Sequence, residues 1–449
     1  MCNLKPRRSA LPWVPHIEKN SPGETMSTNF NQNDESRMEK TSLPLRKRTP
    51  ENFFGIFAVA MALSLAVFSI FCLIGGICQF TSLFLLHGDD LFMDFFNSIR
   101  DVSQGTGVYT ERHVIYPPMA NLIFLICMRF VPEEYASTSF EDRESWANYP
   151  SAVLVCFLFL FVFTILLLLA LQKNLPGHGG KKAVLVFFLI VNPPVLYLLE
   201  RANLLLLSIL SLAVYALYYN AGQKWKRELA LLALAFSFSI KLYPAVFGWF
   251  LIVDKRYKEA IRCILYGIAM FLIPSFFFGG PVSIFWTFEN IFSYSTGTNG
   301  WNRLASFLNI SESAVKLIFL PLLFLLAAAF VASSFLQKNR WKTWIFGSAI
   351  LLAVPSLHSL YAWVFLLIPL GPFLFSESPK NVINWLYFAG CTIPFLFLPQ
   401  FFEYPNPRMT TNGYAMIPAV ILLLATCLTD TLLLVRSYLR EKKERETAK

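Results

Sequence analysis

Apolar stretches almost free of charge recur from one end of this chain to the other, and they limit its folds more than any other feature. They fall at about 54–86, 117–131, 151–171, 183–199, 203–220, 229–241, 242–253, 263–280, 314–336, 343–357, 359–375, 382–402 and 414–435. Runs of roughly 17 to 25 such residues match the hydrocarbon core of a bilayer. With 55% hydrophobic residues, 15% charged and a mean hydropathy of +0.52 over 449 residues, the chain is too apolar for a soluble protein of its size. Backbone groups in lipid must be satisfied within their own segment. The predicted fold is therefore all-α, a polytopic membrane helical bundle of about twelve transmembrane helices. Several runs are too short for ordinary spans, and 117–131 either dips and returns or pairs with a partial crossing hidden in 132–150.

The formal charge of +10 invites a nucleic-acid reading. However, the cations sit in short clusters between apolar runs, so they are read as topology, and no nucleic-acid partner is predicted. The basic connectors 172–182, 223–228, 254–262, 337–342 and the tail from Arg436 are assigned to the cytoplasm. The opposite side then receives 87–116, Glu200-Arg201, Lys241 to Pro244, 282–313, Ser356 to Ser359 and 403–413. Residues 1–52 read as a disordered cytoplasmic tail with no secretory apolar core, and Met26 is an alternative start. Residues 53–435 form the membrane domain and 436–449 a basic cytoplasmic tail. Both termini are expected in the cytoplasm of a multi-pass protein of the inner or plasma membrane, surrounded by membrane lipids.

Of the eight cysteines only Cys2 lies outside an apolar run, so the others read as packing residues. There is no CxxC pair, Walker A loop, GxGxxG, GxSxG or HExxH motif. Hence no metal, cofactor, nucleotide site or familiar soluble hydrolase chemistry is predicted.

Candidate chemistry concentrates at the outward breaks. The loop His87 to Arg100 is predicted to be helical from about residue 90, with Asp90, Asp94 and Asp101 near one face and Phe92, Phe95, Phe96 and Ile99 forming an apolar side that suits the membrane interface. A solvated acidic loop without chemistry is the plainer alternative. It closes with Gly107-Val108-Tyr109 and the rigid turn Tyr116-Pro117-Pro118. Glu200-Arg201-Ala202-Asn203 interrupts an apolar run, where charges are costly and point to function, or else cap a helical hairpin. Lys241, followed by Tyr243-Pro244, lies about 12 residues from the flanking inner loops. That is about 18 Å of helix against a core of about 30 Å, so the lysine falls inside the membrane profile and calls for an anionic partner, unless it snorkels. His358 repeats that placement, as a cavity residue or as ordinary packing. In the loop 282–313, Trp286, Phe288, Glu289, Tyr294, Asn299, Trp301, Asn302 and Arg303 suit either a sugar face or an interfacial aromatic belt.

Asp94-Phe95, then Gly107 and Tyr109, Tyr116-Pro117-Pro118, Asn203, and Lys241 with Tyr243-Pro244 before Lys255-Arg256 together resemble glycosyltransferase family 87. The resemblance covers about residues 54 to 262. Where family members often carry a Gly-Gln or Gly-Asn pair, this chain has Arg201-Ala202-Asn203. The resemblance implies a GT-C type bundle with a helical first extracytoplasmic loop, and transfer of a mannose-type hexose from a polyprenyl-phosphate sugar donor to a glycan or lipid acceptor. It also implies that Asp94 is the catalytic carboxylate and that His358 lines the same cavity. On this reading Lys241 and Arg201 bind the donor phosphate, while Asp90, Tyr116, Glu200, Asn203, Tyr243, Trp301, Asn302 and Arg303 contact substrate. The rival reading is a transporter or flippase of lipid-linked glycans, although no internal repeat supports it.

Overall fold

In the computed structural model, described for residues 52–75, 91–137, 142–176, 179–297, 305, 309–353, 360–400 and 411–447, all regular secondary structure is helical. Among the described residues, five helices are long and apolar enough to cross a membrane: α1 (Phe54–Gly75), α4 (Pro150–Asn174), α10 (Tyr257–Phe278), α12 (Glu312–Leu336) and α16 (Thr411–Thr447). Their outer faces carry Leu73, Leu317 and Phe324, each at least 75% exposed. A face of that kind is stable only against lipid.

A sixth candidate is a pair of helices that is long and apolar enough only when taken together. Helices α5 (Gly180–Ile190) and α6 (Pro193–Glu200) meet at a 51° bend. Its cause is Asn192-Pro193-Pro194: two prolines cannot donate to the preceding turn. Asn192 repairs the break by capping the Val195 N–H at 3.1 Å and donating its side-chain amide to the Phe188 carbonyl at 3.0 Å.

Shorter apolar helices fill the interior, among them α3 (Pro118–Met128), α7 (Leu205–Tyr218), α9 (Tyr243–Val253), α14 (Leu360–Ser376) and α15 (Val382–Phe395). Together with α8 (Lys224–Ile240), helices α7 and α9 shuttle between the two ends of the bundle. Between α7 and α8, the Ser208 and Ser237 hydroxyls meet at 2.9 Å. Such small hydroxyl residues let helices approach closely in a membrane.

The two ends of the bundle differ in chemistry. At one end the predicted inner connectors interlock: Tyr219 donates to the Asp254 carboxylate at 2.5 Å, Arg340 pairs with the same carboxylate, and Arg262 pairs with Glu228 at 2.7 Å. Beside them Lys342, 8% exposed, lies 3.7 Å from Asp430 and 3.2 Å from the Asn384 side-chain oxygen. Since α7 leads from Asn203 to Tyr219 and α8 returns to Lys241, residues 201–203 and 241 fall at the opposite end.

The loop predicted to be helical is so over α2 (Met93–Val102), but it does not lie flat at an interface. Met93, Phe95, Phe96 and Ile99 are fully buried. Phe95 packs on Phe124 of α3 and Phe159 of α4, while Phe96 stacks on Trp146 at 5.1 Å and meets Tyr135 edge-on at 5.5 Å. Burying aromatic rings of this size outweighs a place among headgroups. The same contacts address the segment 117–131. Helix α3 spans only about 16 Å at 1.5 Å per residue, short of a hydrocarbon core of about 30 Å, and Tyr135 and Trp146 beyond it are back beside α2.

Candidate active site

Residue Asp94 sits in the first turn of α2, where the helix dipole favours a carboxylate. Its position is fixed by the turn that links α6 to α7. The Phe92 N–H donates to the Glu200 carbonyl at 2.8 Å and the Asp94 N–H to the Arg201 carbonyl at 3.2 Å. Side chains repeat the link: Arg201 Nη2 donates to Asp94 Oδ1 at 2.5 Å, and Asn203 Nδ2 to Asp94 Oδ2 at 2.6 Å. Each carboxylate oxygen thus accepts one strong bond and retains a second lone pair.

The amide of Asn203 faces two ways. Its oxygen accepts the Leu205 N–H at 2.8 Å, meeting one of the unpaired donors at the start of α7, and its nitrogen holds Asp94. That orientation follows from the partners, since an N–H can meet only the oxygen and a carboxylate only the NH2.

Two residues in this junction have left-handed backbone, Phe92 at φ +59° and Ala202 at φ +48°. For residues with a Cβ that conformation costs roughly 1–2 kcal/mol. Residue Ala202 occupies the place where the resembled family often has glycine, which adopts it freely. Strain on both sides of one carboxylate marks a site whose geometry is maintained by its surroundings.

Tyr116 and Lys241 complete the group. The Lys241 Nζ lies 4.1 Å from the centre of the Tyr116 ring and within electrostatic reach of Asp94. The Lys241 side chain makes no hydrogen bond or ion pair among the described residues. The expected anionic partner is therefore near but already held by Arg201 and Asn203, and the ammonium keeps its donors available. Burial pushes the Tyr116 phenol well above its usual pKa; Asp94, Tyr361 and Tyr243 add to the rise and Arg201 opposes it. These groups consequently share one neighbourhood. Tyr361, which the sequence reading did not select, stacks on Tyr197 of α6 at 5.6 Å. The signal for it was the placement of Tyr197 one helical turn before Arg201.

Of the residues selected from sequence, Asp94, Arg201, Asn203, Tyr116, Lys241 and Tyr243 come together, and Glu200 joins them through its backbone. Asp90, Trp301, Asn302, Arg303 and His358 lie outside the described residues. Asp101, about two turns beyond Asp94 on α2, has its pKa raised to about 6 by burial, against the opposing pull of Arg112 and Arg100. Among the described residues no group of three or more His, Cys, Asp or Glu could hold a metal.

A carboxylate with free lone pairs, oriented by an arginine and an amide and faced by a lysine, can accept a proton from a hydroxyl while the cation stabilises an anionic leaving group. No curated protein and no solved structure matches the chain. The sequence profile of glycosyltransferase family 87 matches residues 114–355, more than half of its length, including Tyr116, Arg201, Asn203, Lys241 and Tyr243. The chain is a membrane protein that belongs to glycosyltransferase family 87.

Proposed function

We propose that this protein transfers a mannose-type hexose from a polyprenyl-phosphate donor to a hydroxyl of a glycan or lipid acceptor, at the membrane face away from the cytosol. The observation that carries this reading is the convergence of Asp94, Arg201, Asn203, Tyr116 and Lys241, from four separate stretches of chain, at the end of the bundle opposite the basic connectors. By the positive-inside rule the connector end is cytosolic, as are both termini, and the site then opens outward. The shorter helices complete a GT-C type bundle of about twelve crossings.

The chemistry is a single inverting displacement. The acceptor oxygen attacks the anomeric carbon, the bond from that carbon to the phosphate oxygen breaks, and the acceptor proton passes to Asp94. Polyprenyl phosphate leaves with its negative charge facing Lys241. With one nitrogen committed to Asp94, Arg201 chiefly orients the carboxylate and adds positive charge near the phosphate. Tyr116, Tyr243 and Glu200 border the sugar. His358 is read into the same cavity from its place three residues before Tyr361, a neighbour of Tyr116. A lipid-borne donor explains why a charged site lies beside apolar helices, and the scheme uses no cofactor.

The purified chain in lipid nanodiscs, offered mannose and glucose on polyprenyl phosphate and the same sugars on nucleotides, tests the reading. Transfer from a lipid donor is expected. Transfer from nucleotide sugars alone would overturn it.

A further inference from the structure

Beyond the Asp94 cluster the protein has a pocket of about 610 Å³ whose lining includes Tyr109, Thr110, His113, Trp286, Glu289 and Asn290. That volume suits a small organic ligand. Its walls are the loop after α2 and one face of α11 (Val282–Gly297), and buried polar bonds join them. Asn290, 9% exposed, donates to the Tyr109 carbonyl at 3.0 Å and the Val114 carbonyl at 3.1 Å. The Tyr109 hydroxyl donates to the Tyr116 carbonyl at 3.0 Å and accepts from Asn121 at 2.9 Å. The pocket and the Asp94 cluster therefore share the segment 109–116, one through Tyr109 and His113 and the other through Tyr116.

The lining is specialised. Trp286 lies across Gly279, where an added Cβ would meet the indole at 3.3 Å; at φ +98° a side chain would be strained as well. Glycine there gives the ring its seat. His113 has left-handed backbone at φ +50°, a cost tolerated mainly where side-chain placement matters. His113 and Glu289 are exposed, and their side chains make no hydrogen bond or ion pair among the described residues. An indole face with the unengaged Glu289 carboxylate, His113 imidazole and Thr110 hydroxyl nearby is the chemistry that grips a pyranose: stacking on the C–H face, with hydrogen bonds to ring hydroxyls. The carboxylate disfavours an anionic guest such as the donor phosphate.

We propose that this pocket binds a neutral hexopyranose unit of the acceptor glycan, beside the cluster that performs transfer. The inference rests on the proposed transferase reading for the word acceptor, but its binding test does not. Saturation-transfer NMR on the full chain in detergent would use methyl α-D-mannopyranoside and methyl β-D-glucopyranoside as probes. At least one should receive saturation at its ring protons from the wild type and from Asp94→Asn. The affinity should fall about tenfold or more in Trp286→Ala and Glu289→Gln, with Trp286→Phe between. Trp286→Phe and Glu289→Gln keep shape, so they remain readable if Trp286→Ala fails to fold. The proposal is overturned if neither glycoside binds, if binding ignores Glu289→Gln and both Trp286 variants, or if Asp94→Asn alone abolishes it. Absence of transfer in the donor assay with Trp286-dependent glycoside binding intact would sink the transferase reading and leave the pocket.

Discussion

Replacing Asn203 by alanine removes two bonds at once, and they are separable. One is the 2.6 Å donation to Asp94 Oδ2, the other the 2.8 Å acceptance from the Leu205 N–H. A hydrogen bond to a charged group contributes about 1.5–3 kcal/mol, and if Asp94 is the base its loss should lower turnover by about 10- to 100-fold. The lost cap should cost about 1 kcal/mol of stability. Asn203→Asp separates the effects: a carboxylate still caps Leu205, but its second oxygen now faces Asp94, and like charges repel. Thermal unfolding in detergent and initial rates of sugar transfer from a radiolabelled lipid donor would be measured for both variants. Asn203→Ala should lose stability and rate together, whereas Asn203→Asp should keep more of the stability and lose at least as much rate. Wild-type turnover in a folded Asn203→Asp protein would refute the idea that this amide orients a catalytic carboxylate.

Lys241→Met should raise the apparent KM for the donor by about 10- to 100-fold, the scale of a lost charge-assisted bond to phosphate; an unchanged donor KM would make the lysine a snorkelling residue. Tyr116→Leu removes the ring beneath that ammonium and should weaken donor binding more mildly, by about 0.5–2 kcal/mol, as read from the same titration. A third expectation concerns pH. Burial raises the folded-state pKa of Asp101 from 3.8 to about 6, so the folded chain binds the extra proton between those values. Its contribution to stability is fully present below about 3.8 and declines as pH rises through about 6. Melting temperature followed from pH 4 to pH 7 should show a decline in the wild type that is missing in Asp101→Asn, and parallel curves would count against it.

Much of this arrangement could be read from residue order because charge in an apolar run is expensive. Glu200-Arg201 and Lys241 stood out for that reason, and they do meet Asp94 at one end of the bundle. The basic connectors were picked out by the same logic, and Asp254, Arg340, Glu228 and Arg262 of those connectors pair at the other end. The seat of α2 was harder. Phe95, Phe96 and Ile99 form an apolar face that fits a headgroup layer or a protein core equally well, and the rings that decide it, Tyr135 and Trp146, come from a stretch masked by its acidic residues. Local sequence also gives no hint that Ala202 takes a glycine conformation or that Lys241 rests on a ring in place of a carboxylate. The pocket at Trp286 draws its walls from segments more than 170 residues apart, a distance no spacing pattern crosses.

Everything in the proposed mechanism passes through one proton acceptor. The most direct test compares wild type with Asp94→Asn, a change that keeps the side chain's shape and removes its basicity, in single-turnover transfer from polyprenyl-phosphate hexose at saturating donor. The account predicts a variant that inserts, melts near the wild-type temperature and binds donor, yet forms product at least about a thousandfold more slowly, within the range for loss of an acid–base group. Product formation at a rate close to wild type would contradict it.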